Sequence, residues 1–554
     1  MGRMYFEDFI GKEYESWRDG QVVILDVPTG CGKTTFFETT YREYAFSQGK
    51  RILYLVNRIV LQQQMLERQK QRVIAWEQFI ETQSFWLHDI RKEPGNFVIS
   101  TYQALEMAIV TNNEADLNYF LSFDIAVADE AHYFLADSLF NPNTVHSFEF
   151  LVQNFRNRQL IFMSATMQNF YPVLSIYLIQ TANQSYLAKN GMFESYIYKR
   201  MEPDYSGYEF LWFYNNQEIA QTISGFPDEE KVLVFVSSIA EGKEVKGLLK
   251  RKIPGGDIFL YSSDSSHSEG GTELEEELVT VQTFSHRVLL ATAKLDVGVN
   301  IVDNCVKHIF ILQDNAEFMI QMLGRRRIQA GDTVKVYLHA RDRLYFSRRL
   351  QQLKYQLRYV DFVLYHLSQP YADIFVATEF YDEKKAAVLR RFVGVWRNLY
   401  VSRRYFCNWL SLKRMGELAA EYGAILEEFD NNGPEAYVLH QGLWLCLPES
   451  HMRFSMPTTY IENIAVFMST YAGKTLAIEE FNHFREKLMP MLHAADRVGF
   501  PKITELAKWQ RINEFFEKHR LPYAICMHPK SKDSARHYEI KNVERGLGYE
   551  SKEI

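Results

Sequence analysis

The chain has 554 residues, a formal net charge of -7, and 47% hydrophobic and 24% charged residues, a composition typical of a globular protein with several domains. The negative charge argues against a protein that coats a polyanion, although a local basic channel is compatible with it. Five cysteines without a CxxC pair or zinc spacing, an acidic N-terminal segment and the lack of a long apolar run predict a soluble cytoplasmic protein without a membrane span.

Short apolar segments alternate with helical patterns along the first part of the chain. From residue 20 to about 170 these segments are VVILDV, RILYLVN, NFVIST, FDIAVAD and QLIFMSAT. After a less regular stretch the pattern restarts with KVLVFVSS, DIFLYSS, RVLLATA, KHIFILQ and TVKVYLHA, interrupted by the acidic segment SSDSSHSEGGTELEEE, which predicts a loop running into a helix. This alternation predicts an α/β fold with two parallel sheets covered by helices, and functional residues at the carboxyl ends of the strands.

Amphipathic helical patterns dominate after about residue 345, and one segment there is strongly basic. In AAVLRRFVGVWRNLYVSRRYFCNWLSLKRM (386–415), Phe392, Trp396 and Tyr400 are four residues apart, which predicts that they share one helix face. One interpretation is that the rings belong to the core and the arginines are solvated. The other is a platform at which Trp396 stacks on bases while Arg397 contacts phosphates.

The segment ILDVPTGCGKTTFF (24–37) predicts a phosphate-binding loop between a strand and a helix. Pro28 ends the apolar strand, and Gly30 and Gly32 permit a tight turn that points backbone N–H groups inward. A helix is predicted from Lys33 to Ser47, and its N-terminus favours phosphate oxygens.

In this loop Lys33 is expected to reach the β- and γ-phosphates, and the Thr34 hydroxyl to ligate Mg²⁺. The predicted nucleotide-binding residues are Thr29, Gly30, Cys31, Gly32, Lys33, Thr34 and Thr35. Val27 stands where the usual pattern has its first glycine.

A pair of carboxylates follows the predicted strand FDIAVAD. Asp129 is expected to hold Mg²⁺ through water, and Glu130 to polarise the attacking water. A bare Asp-Glu pair is common on surfaces, but the strand before it and the phosphate-binding loop upstream favour the catalytic interpretation.

Taken in order, these segments resemble the motifs of superfamily-two helicases and translocases of the DEAD/DEAH group. The segments that carry the resemblance are GCGKT as motif I, VNRIVLQQQ (56–64) as Ia, STYQALE (100–106) as Ib, DEAH as II, SAT as III, VLVFVSS (232–238) as IV, ATAKLDVGVNI (291–301) as V and QMLGRRR as VI. The resemblance covers about residues 20 to 345 and implies two tandem RecA-like lobes, with ATP in the cleft between them and nucleic acid across both.

The resemblance also implies roles for residues outside motifs I and II. Ser164 and Thr166 would couple hydrolysis to lobe movement, and Gln321 and Arg325 would approach the γ-phosphate from the second lobe. The residues expected to grip the nucleic-acid strand are Arg58, Thr101 and Thr292.

The chain departs from the family pattern in two places. No adenine-recognising glutamine motif precedes motif I, which leaves Tyr5, Phe6 or Trp17 as possible stacking partners for the base. The last arginine of motif VI is replaced by Ile328, with Arg327 one residue early.

We therefore predict that Arg325 and Arg327 together serve the γ-phosphate. Residues two apart on a helix point about 200° away from each other, so this prediction requires the helix to end or distort here. Gly324 before the arginines and QAGD after them favour such an end.

The predicted domains are residues 1–204 and 205–345 for the two lobes, and 346–554 for a mainly helical accessory region with possible nucleic-acid or protein partners. From about residue 455 that region predicts a small winged or helical module. The predicted function is an ATP- and Mg²⁺-dependent helicase or translocase, with a slight preference for DNA over RNA. The alternatives are a motor subunit of a restriction, defence or mobile-element complex, and a nucleotide-gated binding or scaffold protein.

Overall fold

The computed structural model describes most of the chain. The described residues are 4–57, 62, 65, 95–181, 196–253, 255–262, 269–292, 295, 300–328, 331–369, 372, 375–376, 379, 382–395, 405–432, 436–447, 458–496, 509–518, 521–529 and 536–543.

Six parallel strands form the sheet of the first lobe. They are β1 (Val22–Asp26), β2 (Ile52–Val56), β3 (Phe97–Thr101), β4 (Ile125–Asp129), β5 (Gln159–Ser164) and β6 (Tyr196–Arg200). The strand order is β3-β2-β4-β5-β1-β6, so the phosphate-binding loop after β1 and the acidic pair at the end of β4 lie at the same edge of the sheet. All residues of β1 to β5 are buried, which explains their continuous apolar runs, whereas β6 is largely half-exposed.

Helices cover both faces of this sheet. They are α1 (Phe6–Ile10), α2 (Lys33–Phe36), α3 (Arg42–Ser47), α4 (Tyr102–Thr111), α5 (Glu114–Phe120), α6 (Tyr133–Ala136), α7 (Thr144–Phe155) and α8 (Met167–Gln180). A π-helical turn, Phe37–Tyr41, joins α2 to α3, so the helix predicted from Lys33 to Ser47 is present with this irregularity. Val22 and Ile24 pack in one core cluster and Val23 and Leu25 in another, as the alternation of a strand requires.

The second lobe repeats this architecture. Its strands are β7 (Tyr208–Phe213), β8 (Lys231–Phe235), β9 (Ile258–Tyr261), β10 (Val288–Ala291), β11 (Val306–Ile311) and β12 (Val334–His339). All pair in parallel, in the order β7-β12-β11-β8-β10-β9. Its helices are α9 (Asn216–Ser224), α10 (Ile239–Lys252), α11 (Glu269–Glu276), which a π-helical turn Glu277–Val281 extends, and α12 (Ala316–Leu323).

The region after β12 is mainly helical. Its helices are α13 (Arg343–Leu367), α14 (Glu383–Phe392), α15 (Trp409–Asn432), α16 (Ala436–Trp444), α17 (Thr458–Ser469), α18 (Ile478–Asp496) and α19 (Trp509–Lys518). Its strands are β13 (Val393–Val395), β14 (Tyr405–Cys407), β15 (Thr475–Ala477), β16 (Tyr523–His528) and β17 (His537–Asn542). The two predicted sheets and the helical C-terminal region are thus confirmed.

The prediction of one helix through Phe392, Trp396 and Tyr400 is wrong. The helix ends at Phe392, and β13 then pairs antiparallel with β14. Gly394 explains the change, because a Cβ there would lie 1.9 Å from the ring of Phe406, so the backbone approaches that ring more closely than a side chain permits. Trp396 itself lies outside the described residues.

The last part of the chain forms a small module with its own core. Its elements run helix, strand, helix, helix, strand, strand from α17 to β17, and its antiparallel sheet has the order β15-β17-β16. Apolar residues such as Phe484, Phe516 and Ile540 fill the space between helices and sheet. This order of elements and strands is that of a winged helix, one of the two alternatives that the sequence left open.

Helix α15 contacts both lobes. Leu410 in its first turn belongs to a core cluster of the first lobe, whereas Met415 and Leu418 belong to the large cluster of the second lobe. In the part of the chain that the structure describes, we find no helix long and apolar enough to cross a membrane.

Candidate functional site

Val27 belongs to the core of the first lobe. Its side chain is fully buried in the same cluster as Leu25 and Phe36, and its N–H donates to the Ser164 carbonyl at 2.9 Å. The valine therefore lengthens the buried strand, and the shape of the loop depends on the glycines that follow.

The phosphate-binding loop turns through two left-handed residues. Gly30 has φ 77° and Gly32 has φ 86°, values that residues with a Cβ rarely adopt. Gly32 is the N-cap of α2, so the loop leads directly into the N-terminus of that helix. The Lys33 side chain is buried, and its ammonium donates to the carbonyls of Val27 at 2.5 Å and Pro28 at 3.0 Å.

The acidic pair lies at the end of β4. Asp129 is 3% exposed and accepts from the Tyr54 hydroxyl at 2.7 Å and from the Glu130 N–H at 2.9 Å. Glu130 has φ 50°, an uncommon conformation for a residue other than glycine, and such outliers cluster at functional sites.

The two carboxyl groups have opposite pKa shifts. Burial and the neighbouring Glu130 charge raise the pKa of Asp129 to about 7. Burial acts in the same direction on Glu130, but the charges of His132, Lys33 and Arg325 outweigh it and lower the pKa of Glu130. The lowered pKa of Glu130 favours its ionised form, which suits a general base. The raised pKa of Asp129 means that its negative charge is unfavourable, which suits a ligand of a cation.

The second lobe reaches the acidic pair through α12. Gln321 Nε2 donates to Glu130 Oε2 at 3.0 Å, and Arg325 Nη2 donates to Gln321 Oε1 at 2.7 Å. The lobes also touch at Thr29 and Gly324, where a Cβ on the glycine would lie 1.9 Å from the Thr29 hydroxyl oxygen. Both lobes therefore build one site.

The three consecutive arginines follow the end of a helix, with Arg325 in the turn after α12 and Arg326 and Arg327 beyond it. Helix α12 ends at Leu323, and Arg326 forms a parallel β-bridge with Ile301, whose N–H and C=O bond to Arg325 and Arg327. Both outer arginines line the cleft, whereas Arg326 is buried against Asp332.

A cavity of about 200 Å³ lies at this junction. It is lined by Thr29, Gly30, Gly32, Lys33, Thr34, Thr35, Asp129, Glu130, Asn300, Arg325 and Arg327. Loop N–H groups, three cationic side chains and two carboxylates thus surround one small volume, which suits a polyphosphate with a divalent cation.

A second cavity, of about 430 Å³, lies beside Thr29 and Gly324. It is lined by the loop residue Cys31, by Tyr205 just before β7, by Tyr208 at the start of β7, and by Trp444 of α16. Aromatic walls of this size suit a planar group.

The predicted coupling residues lie directly behind the acidic pair. The Ser164 hydroxyl is 2.9 Å from His132 Nδ1 and 3.2 Å from the Thr166 hydroxyl, and it accepts from the Thr166 N–H at 3.0 Å. His132 Nδ1 is also 3.5 Å from Glu130 Oε2. These contacts join motif III to the carboxylate that faces the cleft.

Of the predicted nucleic-acid contacts, Thr101 and Thr292 lie among the described residues. Thr101 is 7% exposed, and its hydroxyl caps α4 by accepting from Ala104 N–H at 3.2 Å. Thr292 is half-buried, and its N–H donates to the Tyr261 carbonyl. Arg58, Trp396 and Arg397 lie outside the described residues.

Three residues of the site were missed in the sequence. His132 was recognisable as the last residue of DEAH, and Asn300 as part of the motif V segment, where its Oδ1 accepts from Arg327 Nε at 2.8 Å. Tyr54, which holds Asp129, gives no signal, because it reads as one more core residue of a buried strand.

Comparisons with known proteins find similarity to one family model and to solved structures. Residues 7–169 match the family model described as the type III restriction enzyme, res subunit. The curated proteins contain no significant match to the chain. A solved structure of the DUF1998 helicase MrfA bound to DNA aligns with a TM-score of 0.42 and 16% identity over 61% of this chain and 49% of that chain. A variant of S. cerevisiae Dbp5 bound to a Gle1 variant and IP6 aligns with a TM-score of 0.36 and 14% identity over 58% of this chain and 78% of that chain.

The chain spans about half the length of MrfA. The family match, together with the ordered motifs, confirms that the chain resembles the superfamily-two helicases and translocases.

Proposed function

We propose that the chain is an ATPase that couples ATP hydrolysis between its lobes to movement on, or unwinding of, nucleic acid. The observation that carries this proposal is the hydrogen-bonded chain from Glu130 through Gln321 to Arg325, which crosses from one lobe to the other beside a cavity lined by the predicted phosphate-binding loop. A site shared by two lobes makes its geometry depend on their relative position, and this dependence is what a motor requires.

In this proposal the N–H donors and cationic side chains bind phosphate, and the carboxylates act on Mg²⁺ and water. The N–H groups of the loop and the Lys33 ammonium are placed to hold phosphate oxygens, and Thr34 and Asp129 would ligate Mg²⁺. A bound Mg²⁺ would neutralise phosphate charge. Glu130 would orient and deprotonate the attacking water, and Arg325 and Arg327 would stabilise charge that develops on the transferring phosphoryl group.

The residues present fit such a ligand. The hydrogen bonds that the described residues donate to the buried Asp129 come from two neutral groups, the Tyr54 hydroxyl and the Glu130 N–H. Burial and the Glu130 charge raise its pKa, and a divalent cation would act against this shift, which supports a role of Asp129 as a cation ligand. The loop glycines fit as well, because their left-handed conformations open the turn at the N-terminus of α2.

The second cavity is our proposed place for the nucleoside. Of the three aromatic residues that the sequence offered for stacking, Phe6 and Trp17 are buried in the core of the first lobe, whereas Tyr5 is 54% exposed. Tyr5 lies 3.7 Å from the Cβ position of Gly32. Tyr5 does not line this cavity, so its aromatic surface comes from Tyr205, Tyr208 and Trp444, without the usual glutamine motif.

The decisive experiment measures ATP turnover by the full chain alone and with single-stranded DNA, duplex DNA or RNA, with strand separation followed in parallel. Stimulation by one nucleic acid, abolished by Lys33→Ala, is the expected result, with DNA the preferred activator. Nucleotide binding without turnover under every condition would support the nucleotide-gated scaffold instead.

A motor subunit that translocates without separating strands is the second candidate. The family description that residues 7–169 match names a subunit of a restriction enzyme, and this supports an assembly of several proteins. Stimulated ATP turnover without strand separation is the outcome expected for it. The domain limits 1–204, 205–345 and 346–554 and a cytoplasmic location remain part of the proposal.

A further inference from the structure

Arg414 is a buried cation in the C-terminal region. Its side chain is 2% exposed, and its guanidinium pairs with the Glu317 carboxylate, which is 4% exposed. Its Nη1 is also 3.8 Å from Glu417. A buried ion pair of this kind is sensitive to its geometry, because each charge has lost its water and depends on the other.

Glu317 connects three parts of the molecule. It lies in the first turn of α12, one helical turn before Gln321, and so on the same helix face. Its Oε2 accepts from Arg414, and its Oε1 accepts from Asn169 Nδ2 of the first lobe at 3.0 Å. A single carboxylate in the second lobe is thus held by one donor from the first lobe and one from the C-terminal region.

Arg414 is itself fixed to the first lobe through the start of α15. Asn408 Nδ2 donates to the Thr144 hydroxyl oxygen at 2.9 Å, Trp409 Nε1 donates to Glu149 at 2.9 Å, and the Ser411 hydroxyl donates to the Ser138 carbonyl at 2.9 Å. Ser411 lies one helical turn before Arg414. One turn of α15 therefore connects the first lobe, which Ser411 contacts, with Glu317, which Arg414 contacts.

We infer that Arg414 is a positioning residue of the ATPase site. By holding Glu317, Arg414 sets the orientation of α12. This helix carries Gln321, which donates to Glu130 and accepts from Arg325. This inference rests on the proposed function and adds to it that residues outside both lobes determine the catalytic geometry. It also gives the C-terminal region a direct path to the hydrolysis step.

The surroundings of Arg414 make its charge important. Burial and the Glu317 carboxylate raise the pKa of Glu417 and of Glu421 to about 7, and Arg414 opposes this shift. A neutral side chain at position 414 would leave a carboxyl-rich cluster without this cation. We therefore expect Arg414→Lys, which keeps the charge, to rescue function in part.

The test compares Arg414→Met and Arg414→Lys with wild type for kcat and KM of ATP hydrolysis and for melting temperature. Arg343→Met is the control, because the exposed Arg343 side chain pairs at 2.9 Å with Asp430, at the far end of helix α15, and its described hydrogen bonds and ion pair involve Asp430 rather than α12. We expect Arg414→Met to lower kcat about tenfold while KM changes less than about threefold, and Arg414→Lys to recover most of the loss.

Asn169→Ala provides a second route that leaves the buried cation in place. If Asn169 and Arg414 act through the same carboxylate, the loss of kcat in the double variant is smaller than the product of the two single losses. Asn169→Ala also decides the question if Arg414→Met does not fold.

The possible failures are distinct. Wild-type protein without ATP turnover overturns the proposed function. Active wild type with Arg414→Met equal in kcat to Arg343→Met, or Asn169→Ala equal to wild type, overturns the positioning role.

Discussion

The two lobes share a six-stranded parallel sheet but supply opposite chemistry to the cleft. The first lobe contributes the phosphate-binding loop and the acidic pair, each at the carboxyl end of a strand. The described residues of the second lobe include no such loop, and this lobe contributes Asn300, Arg325 and Arg327. The fold alone does not fix the role, because the same architecture carries anion-binding amides in one lobe and cationic side chains in the other.

Under the proposed function, this difference assigns separate parts of the reaction to the two lobes. Each lobe holds part of the site, and Gln321 of the second lobe donates a hydrogen bond to Glu130 of the acidic pair. We therefore expect changes in the first lobe to separate binding from hydrolysis, and changes in the second lobe to affect hydrolysis alone.

The largest expected effect is in the first lobe. Glu130→Gln should lower kcat about a thousandfold and keep ATP affinity, because the side chain acts on water rather than on bound phosphates. Lys33→Ala should instead weaken ATP binding, measured by titration with a fluorescent nucleotide. Glu114→Gln, an exposed carboxylate of the same lobe, is the control and should behave like wild type. Equal, full turnover in the Glu130 and Lys33 variants would contradict the assignment of the site.

The lobes also differ in how they bury a carboxylate. Asp332 of the second lobe pairs with Arg326 and Lys307, whereas Glu106 of the first lobe accepts only from neutral donors of Tyr133, Asn141 and Ser147 among the described contacts. Burial raises the pKa of Glu106 to about 7, although these hydrogen bonds oppose the shift.

Because the folded pKa of Glu106 is raised, its stabilising contribution is present below about pH 4.5 and is lost as the pH rises to about 7. The free energy of unfolding of wild type, relative to Glu106→Gln, should fall by about 3 kcal/mol over this range, as measured by urea denaturation at several pH values. A constant difference between the two proteins would show that folding does not raise the pKa of Glu106.

The arginines of the second lobe provide the test within one tripeptide. Arg325→Ala and Arg327→Ala should each lower ATP turnover at least tenfold, or about 1.4 kcal/mol, with little change in ATP affinity. Arg326→Ala should mainly lower the melting temperature, because its side chain is buried against Asp332. If Arg327→Ala turns over like wild type, only Arg325 serves the phosphoryl group.

The smallest effect concerns a residue that the resemblance assigned to nucleic acid. Thr101→Ala should cost about 1 kcal/mol of stability, because the hydroxyl caps α4. Thr111→Ala, at the other end of the same helix, is the matched control. Binding of single-stranded DNA at several salt concentrations then separates the roles. Weaker DNA binding by Thr101→Ala with unchanged stability would support the contact with nucleic acid that the family resemblance implies.

The sequence predicted those strands whose residues are apolar along their whole length because both faces of the sheet are buried. Buried parallel strands need continuous apolar runs, so all ten predicted strands of the two sheets are present. The half-exposed β6 mixes aromatic and cationic residues in YIYKR and was missed for that reason, as was β7. The basic segment misled because the spacing of its aromatic residues suits a helix, whereas Gly394 and its contact with Phe406 depend on a distant strand pairing.

The site shows the same division. Lys33, Asp129 and Glu130 could be located because motif spacing fixes them relative to a strand end. The sequence predicted that Arg325 and Arg327 face the same cleft, on the condition that the helix ends before them. The helix does end at Leu323, and the following residues bridge to Ile301. Tyr54 and Glu317 could not be found, because their partners Asp129, Asn169 and Arg414 are remote in the chain.

Helix α15 has a consequence for how the protein is made. Leu410 completes a core cluster of the first lobe, although it follows the last strand of that lobe by roughly two hundred residues. During synthesis the first lobe emerges long before this helix, so an apolar site on its surface remains open to water and to other chains until residues 405–411 arrive. Chains that end before α15 should therefore bind holdase chaperones and aggregate, even though both sheets and every residue of the cleft are present in them.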